Sequence, residues 1–200
     1  MIKIILALLF GYLVGSIPGA LIIGKKFYGG KDIRQEGSGN LGATNAGRVL
    51  GKKAFFLVSL LDGAKGFLAY WLSYQFTPEY AIYVALGLVV GHCYPLFAQF
   101  TGGKGVATSA GILMAMALCQ KNIWLFVIPL AVMVGILLTV RIMSLASMSA
   151  YVAAAITTFV TDPNPADRIV ITLLCLFVIW RHRANIKRLL KKEEPKFRIG

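Results

Sequence analysis

A chain of 200 residues that is 58% hydrophobic and only 14% charged, with a mean hydropathy of +0.73, is not an ordinary soluble domain, in which about 25% of residues are charged. Lys and Arg outnumber Asp and Glu 21 to 8, for a net charge of +13. In so apolar a chain the placement of that charge is informative and its sum is not, so the basic balance does not imply a nucleic-acid partner. The composition fits one all-α domain over residues 1–200, a polytopic helical bundle in a bilayer.

A spanning helix needs roughly 20 mainly apolar residues, with about 17 as a lower limit. In chain order the candidates are Ile4 to Ile23, Ala54 to Tyr74, Tyr80 to Phe100, Val106 to Cys119, Ile123 to Val140, Leu145 to Val160 and Ile169 to Trp180. The first resembles a signal peptide, but its stronger charge, Lys25-Lys26, follows the apolar run, so it is expected to be retained. The fourth and seventh are short. Seven spans are expected; five remain possible if the fourth and fifth form one non-crossing hairpin.

Seven spans sort the charges by side. Lys25, Lys26, Lys31, Arg34, Arg48, Lys52 and Lys53, then Lys104, then Arg141, then the tail from Arg181 to Arg198 fall on one side. The other side has only Lys3, Lys121 and Arg168, beside Glu79, Asp162 and Asp167. Cytoplasmic loops collect Lys and Arg, so the N-terminus is expected outside and the C-terminus in the cytoplasm.

The unusual loops all fall on that cytoplasmic side. EGSGNLGATNAGRVLGKK, from Glu36 to Lys53, sets five glycines among Ser38, Asn40, Thr44, Asn45 and Arg48. Glycine-rich turns present successive N–H groups to an anion, a use that a plain polar linker does not require. TGGKGVAT, from Thr101 to Thr108, places Gly102, Gly103, Lys104 and Gly105 before a helix. It departs from the nucleotide-binding P-loop pattern, and reads alone either as a phosphate cradle or as a tight turn with one lysine. VRIMSLASMSA offers Arg141, Ser144 and Ser147, the serines sharing a helical face for ligand or for helix packing.

WRHRANIKRLLKKEE closes the series. Arg181, His182, Asn185 and Arg188 lie near one helical face, while Lys187, Lys191 and Lys192 suit anionic lipid head groups. Within the spans, Asp62 and Lys65 are three apart, the spacing of a mutual ion pair, and His92 is either a site residue or a buried hydrogen-bonding one. Cys93, Cys119 and Cys175 share no motif spacing and read as small buried hydrophobes. No HExxH, cysteine cluster, carboxylate pair or GxSxG elbow is present, so no metal site, two-carboxylate chemistry or serine-hydrolase site is supported.

With SGNLGATNAGR, GGKGVAT and HRANIKRL in that order, the sequence resembles the bacterial acyl-phosphate:glycerol-3-phosphate acyltransferase family over essentially its whole length. The resemblance implies transfer of a fatty acyl group from acyl phosphate to the sn-1 hydroxyl of glycerol 3-phosphate. The products would be 1-acylglycerol 3-phosphate (lysophosphatidic acid) and phosphate, in the first step of phospholipid synthesis. It implies no cofactor, a monomer among membrane lipids, and a multi-pass protein of the bacterial cytoplasmic (inner) membrane whose active site faces the cytoplasm. The expected catalytic residues are Ser38, Lys104, His182 and Asn185. Those expected to bind substrate or phosphate are Asn40, Thr44, Asn45, Arg48, Gly102, Gly103, Gly105, Thr108, Arg141, Ser144, Arg183 and Arg188. A transporter of a phosphorylated solute, or a lipid-phosphate transferase with another donor, remains the alternative. Polar clusters at one face and the absence of paired internal repeats count against the transporter.

Overall fold

The computed structural model describes residues 1–197; Arg198, counted above in the basic tail, lies outside them. Among the described residues every regular element is helical. The described residues divide into two compact units, Met1–Ala115 and 116–197.

The first unit opens with α1 (Ile2–Gly15) and α2 (Gly19–Phe27), so the expected first span is interrupted. Pro18 has no N–H to continue the helical ladder, and Ser16 turns its hydroxyl back onto the Tyr12 carbonyl. A short helix, α3 (Ala43–Leu50), lies within what the sequence suggested was loop. It is followed by α4 (Lys52–Phe76), which extends past both ends of the second expected span. The third span has its expected length but is not α-helical throughout: α5 (Ala81–Cys93) stops before Pro95, and 3-10 turns at Pro78–Tyr80 and Leu96–Ala98 complete a 21-residue apolar segment. Helix α6 (Val106–Cys119) has the expected bounds.

Small residues bring these helices together, as in bilayers, where lipid tails compete with side chains for apolar contact. A β-carbon on Gly11 or Gly15 of α1 would run into the backbone of Val84 or Leu88, and one on Gly87 or Gly91 of α5 into Leu8 or Tyr12. Gly66 of α4 abuts the Thr108 carbonyl, and Gly111 of α6 abuts that of Gly63. Ile23, Ile33, Leu41, Ala46, Ala54 and Val58 form the apolar floor beneath the first loop.

The second unit contains α7 (Trp124–Thr139), α8 (Met143–Thr161), α9 (Pro165–Arg181) and α10 (Arg183–Leu190). Asn164 caps α9 by accepting from the Ala166 N–H at 3.0 Å, with Pro165 in the first turn. A 58° bend separates α9 from α10.

Four helical segments are long and apolar enough to cross a membrane, and a fifth if α9 and α10 make one bent span. Helices α6 and α7, at 14 and 16 residues, reach only about 21 and 24 Å at a rise of 1.5 Å per residue. Both fall short of a hydrocarbon core about 30 Å thick. Leu6, Phe10, Phe56, Leu60, Phe159 and Leu176 are among many large apolar side chains left exposed, as an acyl-chain solvent allows.

Candidate active site

The first loop is shaped by Asn45. From its buried position on α3, its Oδ1 accepts the Ser38 N–H at 2.8 Å, and its Nδ2 donates to the carbonyls of Ile33 and Glu36, both at 3.1 Å. Gly37 sits at φ 62°, and a β-carbon there would collide with the Asn45 amide, so the turn requires glycine. The structure therefore engages Asn45, expected to meet phosphate, in fastening its own loop. The fastening leaves Ser38 and Arg48 exposed and Asn40 and Thr44 half-buried, with Asn40 Nδ2 3.4 Å from Ser38 Oγ.

The second loop is joined to the first. Leu41 N–H donates to the Gly102 carbonyl at 3.4 Å, and Arg34 Nη1 donates to the Ala98 carbonyl at 3.2 Å. Arg34 also clasps Asp32, and that hydrogen bond, more than the burial opposing it, holds the Asp32 carboxyl below its ordinary range. Gly102, Gly103 and Gly105 are buried and Lys104 half-buried. Gly105, at φ 83°, turns the chain into α6. Thr108 is fully buried in the first turn of α6, and its hydroxyl has no hydrogen-bond partner. The first unit thus joins two glycine-rich turns, a helix N-terminus and the cation of Lys104, the ingredients of an anion site.

In the second unit a residue outside the expected set organises the others. Glu194 Oε1 accepts from Ser144 Oγ at 2.7 Å and from Asn185 Nδ2 at 2.5 Å, and its Oε2 accepts from Arg188 Nε at 2.6 Å. Burial pushes this carboxyl upward, but the three hydrogen bonds and the guanidinium charge outweigh it and leave the group below its ordinary range. A serine whose only proton goes to Glu194 has just lone pairs to offer a ligand, so Ser144 can accept from a hydroxyl but cannot donate to a phosphate. Spacing alone gave no reason to prefer Glu194 over Glu193.

His182, at the bend between α9 and α10, is 2% exposed, and its Nδ1 lies 2.8 Å from the Val178 carbonyl. A carbonyl only accepts, so Nδ1 carries the proton, and in the neutral ring Nε2 bears the lone pair. Asn185 and Arg188 follow at intervals of three on the same face. Arg183 does not: it is exposed, with its guanidinium 4.6 Å from the centre of the Trp180 ring. Arg141 is exposed at φ 61° between α7 and α8, where its carbonyl accepts the Phe197 N–H at 2.6 Å. Ser147 turns its hydroxyl back to the Met143 carbonyl, so the two serines sharing a face do different things.

Apolar helices with phosphate-suited loops at their ends define a class, the multi-pass integral membrane proteins that handle phosphorylated substrates. The family model described as glycerol-3-phosphate acyltransferase matches residues 5–192, and the chain belongs to that family. A glycerol-3-phosphate acyltransferase of Bacillus cytotoxicus is 48% identical over 195 residues, covering 96% of this chain and 93% of that one. One from Geobacillus kaustophilus is 46% identical over 193 residues, covering 96% and 94%. Among solved structures, the chain is similar to PlsY, an integral membrane glycerol 3-phosphate acyltransferase, in its glycerol 3-phosphate form. The TM-score is 0.88 at 36% identity, over 98% of this chain and 96% of that one. The lysophosphatidic acid form of the same enzyme gives a TM-score of 0.86.

Proposed function

We propose that this protein transfers a fatty acyl group from acyl phosphate to the sn-1 hydroxyl of glycerol 3-phosphate. The hydroxyl oxygen bonds to the acyl carbon, the bond from that carbon to the phosphate oxygen breaks, and the hydroxyl proton leaves with inorganic phosphate. The observation that carries this reading is the joining of the Ser38 loop to the Gly102–Gly105 loop through Leu41 and Gly102. That union supports the reading of one anion site built from backbone donors and the Lys104 cation, suited to a phosphorylated substrate or leaving group. Fixed donors of this kind accelerate acyl transfer by stabilising charge where it develops, without a covalent intermediate.

The second unit's polar set suits hydroxyls better than phosphate. Glu194 would repel a phosphate, and it commits Ser144 to accepting. The lone pair on His182 Nε2 can take a hydrogen bond from a glycerol hydroxyl and orient it. A phosphate dianion, whose second pKa is about 6, then serves as proton acceptor.

One assay tests the reaction. Purified protein with palmitoyl phosphate and labelled glycerol 3-phosphate should yield lysophosphatidic acid, while a palmitoyl thioester should yield little. Product from the thioester alone would overturn the donor assignment. Location is tested separately: cysteines at Asn45, Lys104, Ser144 and Asn185 should all label from the cytoplasmic face of the inner membrane. Labelling of any one solely from outside would break the proposed orientation.

A further inference from the structure

A buried charged cluster in the first unit lies outside the residues assigned so far. Lys65 Nζ is 2.8 Å from Asp62 Oδ1 and 3.0 Å from His92 Nδ1. It also donates to the Gly15 carbonyl at 3.1 Å and the Ile17 carbonyl at 2.8 Å, where α1 gives way to α2. Asp62, Lys65 and His92 side chains are 2%, 8% and 6% exposed. Charges at such depth are expensive, and a simple Asp62–Lys65 pair does not account for the histidine.

The geometry fixes the state of that ring. An ammonium has only protons to present, so the Nδ1 facing Lys65 must offer its lone pair. Asp62 Oδ1 is 3.6 Å from Nδ1, too far for the alternative in which Nδ1 donates to the carboxylate. The proton of the neutral imidazole is therefore on Nε2, at the end of the ring turned toward the glycine loop. A methyl built on Gly103 would collide with Nε2 and fall 3.0 Å from Cε1 and 3.2 Å from Cδ2. The backbone is fastened at the same place: Gly103 N–H donates to the His92 carbonyl at 3.1 Å.

We propose that His92 is a positioning residue, held by Lys65 and Asp62 in its Nε2–H form so that the ring and its carbonyl set the Gly103–Lys104 peptide and aim Lys104. The cluster ties the loop to the break in α1–α2, so the buried charges fix a site they do not touch. This inference rests on the reading of the Gly102–Gly105 loop as a phosphate cradle, and takes glycerol 3-phosphate as the phosphate it holds.

The test measures KM for glycerol 3-phosphate, kcat and melting temperature on the full chain in lipid-doped micelles, with palmitoyl phosphate as donor. His92→Phe keeps a ring but loses both nitrogens, and should raise KM about tenfold, the worth of one lost hydrogen bond, with a smaller change in kcat. His92→Gln restores an N–H donor and should recover most of that loss. An unchanged KM in His92→Phe, or equal losses in the two variants, overturns the inference. If His92→Phe does not fold, Gly103→Ala decides: its raised KM should fall again when His92→Ser gives the methyl room, whereas additive losses overturn the inference. Lys104→Ala separates the two levels. If it keeps the wild-type KM and kcat, the cradle reading fails and takes this inference with it. If it is crippled while the His92 variants are silent, only the role of His92 fails.

Discussion

In the loop from Glu36 to Gly42 a side chain fastens main chain, Asn45 engaging Ser38, Ile33 and Glu36. Around α10, side chains instead converge on a side chain, Ser144, Asn185 and Arg188 on Glu194. The first arrangement spends the Asn45 amide on its own loop, in a region whose cations, Arg48 and Lys104, suit an anion. The second already holds an anion and has spent the donors nearest to it. Two regions rich in the same residue types thus suit different chemical groups, and variants in each should fail differently.

The largest losses should come from the first region. Arg48→Ala and Lys104→Ala should each cripple turnover in a protein that is still extractable and folded, because neither residue belongs to the apolar core. Removing one partner of a desolvated charge pair costs about 2–5 kcal/mol, roughly a 30- to several-thousand-fold loss. Wild-type turnover in either variant would reduce that residue to an ordinary cytoplasmic-side charge.

The second region should fail through disorder before it fails in chemistry. Glu194→Ala leaves Ser144, Asn185 and Arg188 without their common acceptor and should cost about 2 kcal/mol, the scale of a hydrogen bond to a charged group. The readout is earlier protease cleavage after Leu190 together with a lower melting temperature. Glu194→Gln keeps an acceptor and should lose less. Because the Glu194 carboxyl lies below its ordinary value in the folded chain, its contribution is complete above the unfolded value of about 4.3. It drains away as pH falls through the lower folded value. Protease resistance of the wild-type tail should therefore drop in that acidic window, and the drop should be absent in Glu194→Gln.

The same contrast explains what could be read from the sequence. Long apolar runs announce helices, and α4, α6, α7, α8 and α9 lie where those runs predicted them. Interruptions are only half legible: Pro18 marks the break in the first span locally, but the donor that covers the Gly15 and Ile17 carbonyls there, Lys65, lies almost fifty residues later in the chain. The glycine-rich motifs were visible because their unusual composition is local. Glu194 was not, since its meaning comes from Ser144 on another helix, fifty residues earlier. Spacing does set Arg183 apart from the face of His182, Asn185 and Arg188, but it does not reveal the approach of its guanidinium to Trp180.

The smallest expected effect concerns the proton. His182 Nδ1–H is committed to the Val178 carbonyl, so only Nε2 can meet a substrate hydroxyl, as an orienting acceptor or as a general base. An isolated imidazole titrates near 6.5 and a phosphate monoester near 6, so one pH–rate curve of the wild type does not separate them. His182→Gln does. Its amide oxygen still accepts a hydrogen bond but cannot take a proton near neutrality. If His182 only orients, the variant should be about tenfold slower, the worth of one good hydrogen bond, and should keep the acidic limb of its profile because the phosphate still titrates. If His182 is the base, that limb should vanish, with a loss nearer the 100-fold or more typical of removing a general base. The retained limb is the expected result, because the site supplies a basic phosphate with every turnover, whereas the imidazole is held by its own helix.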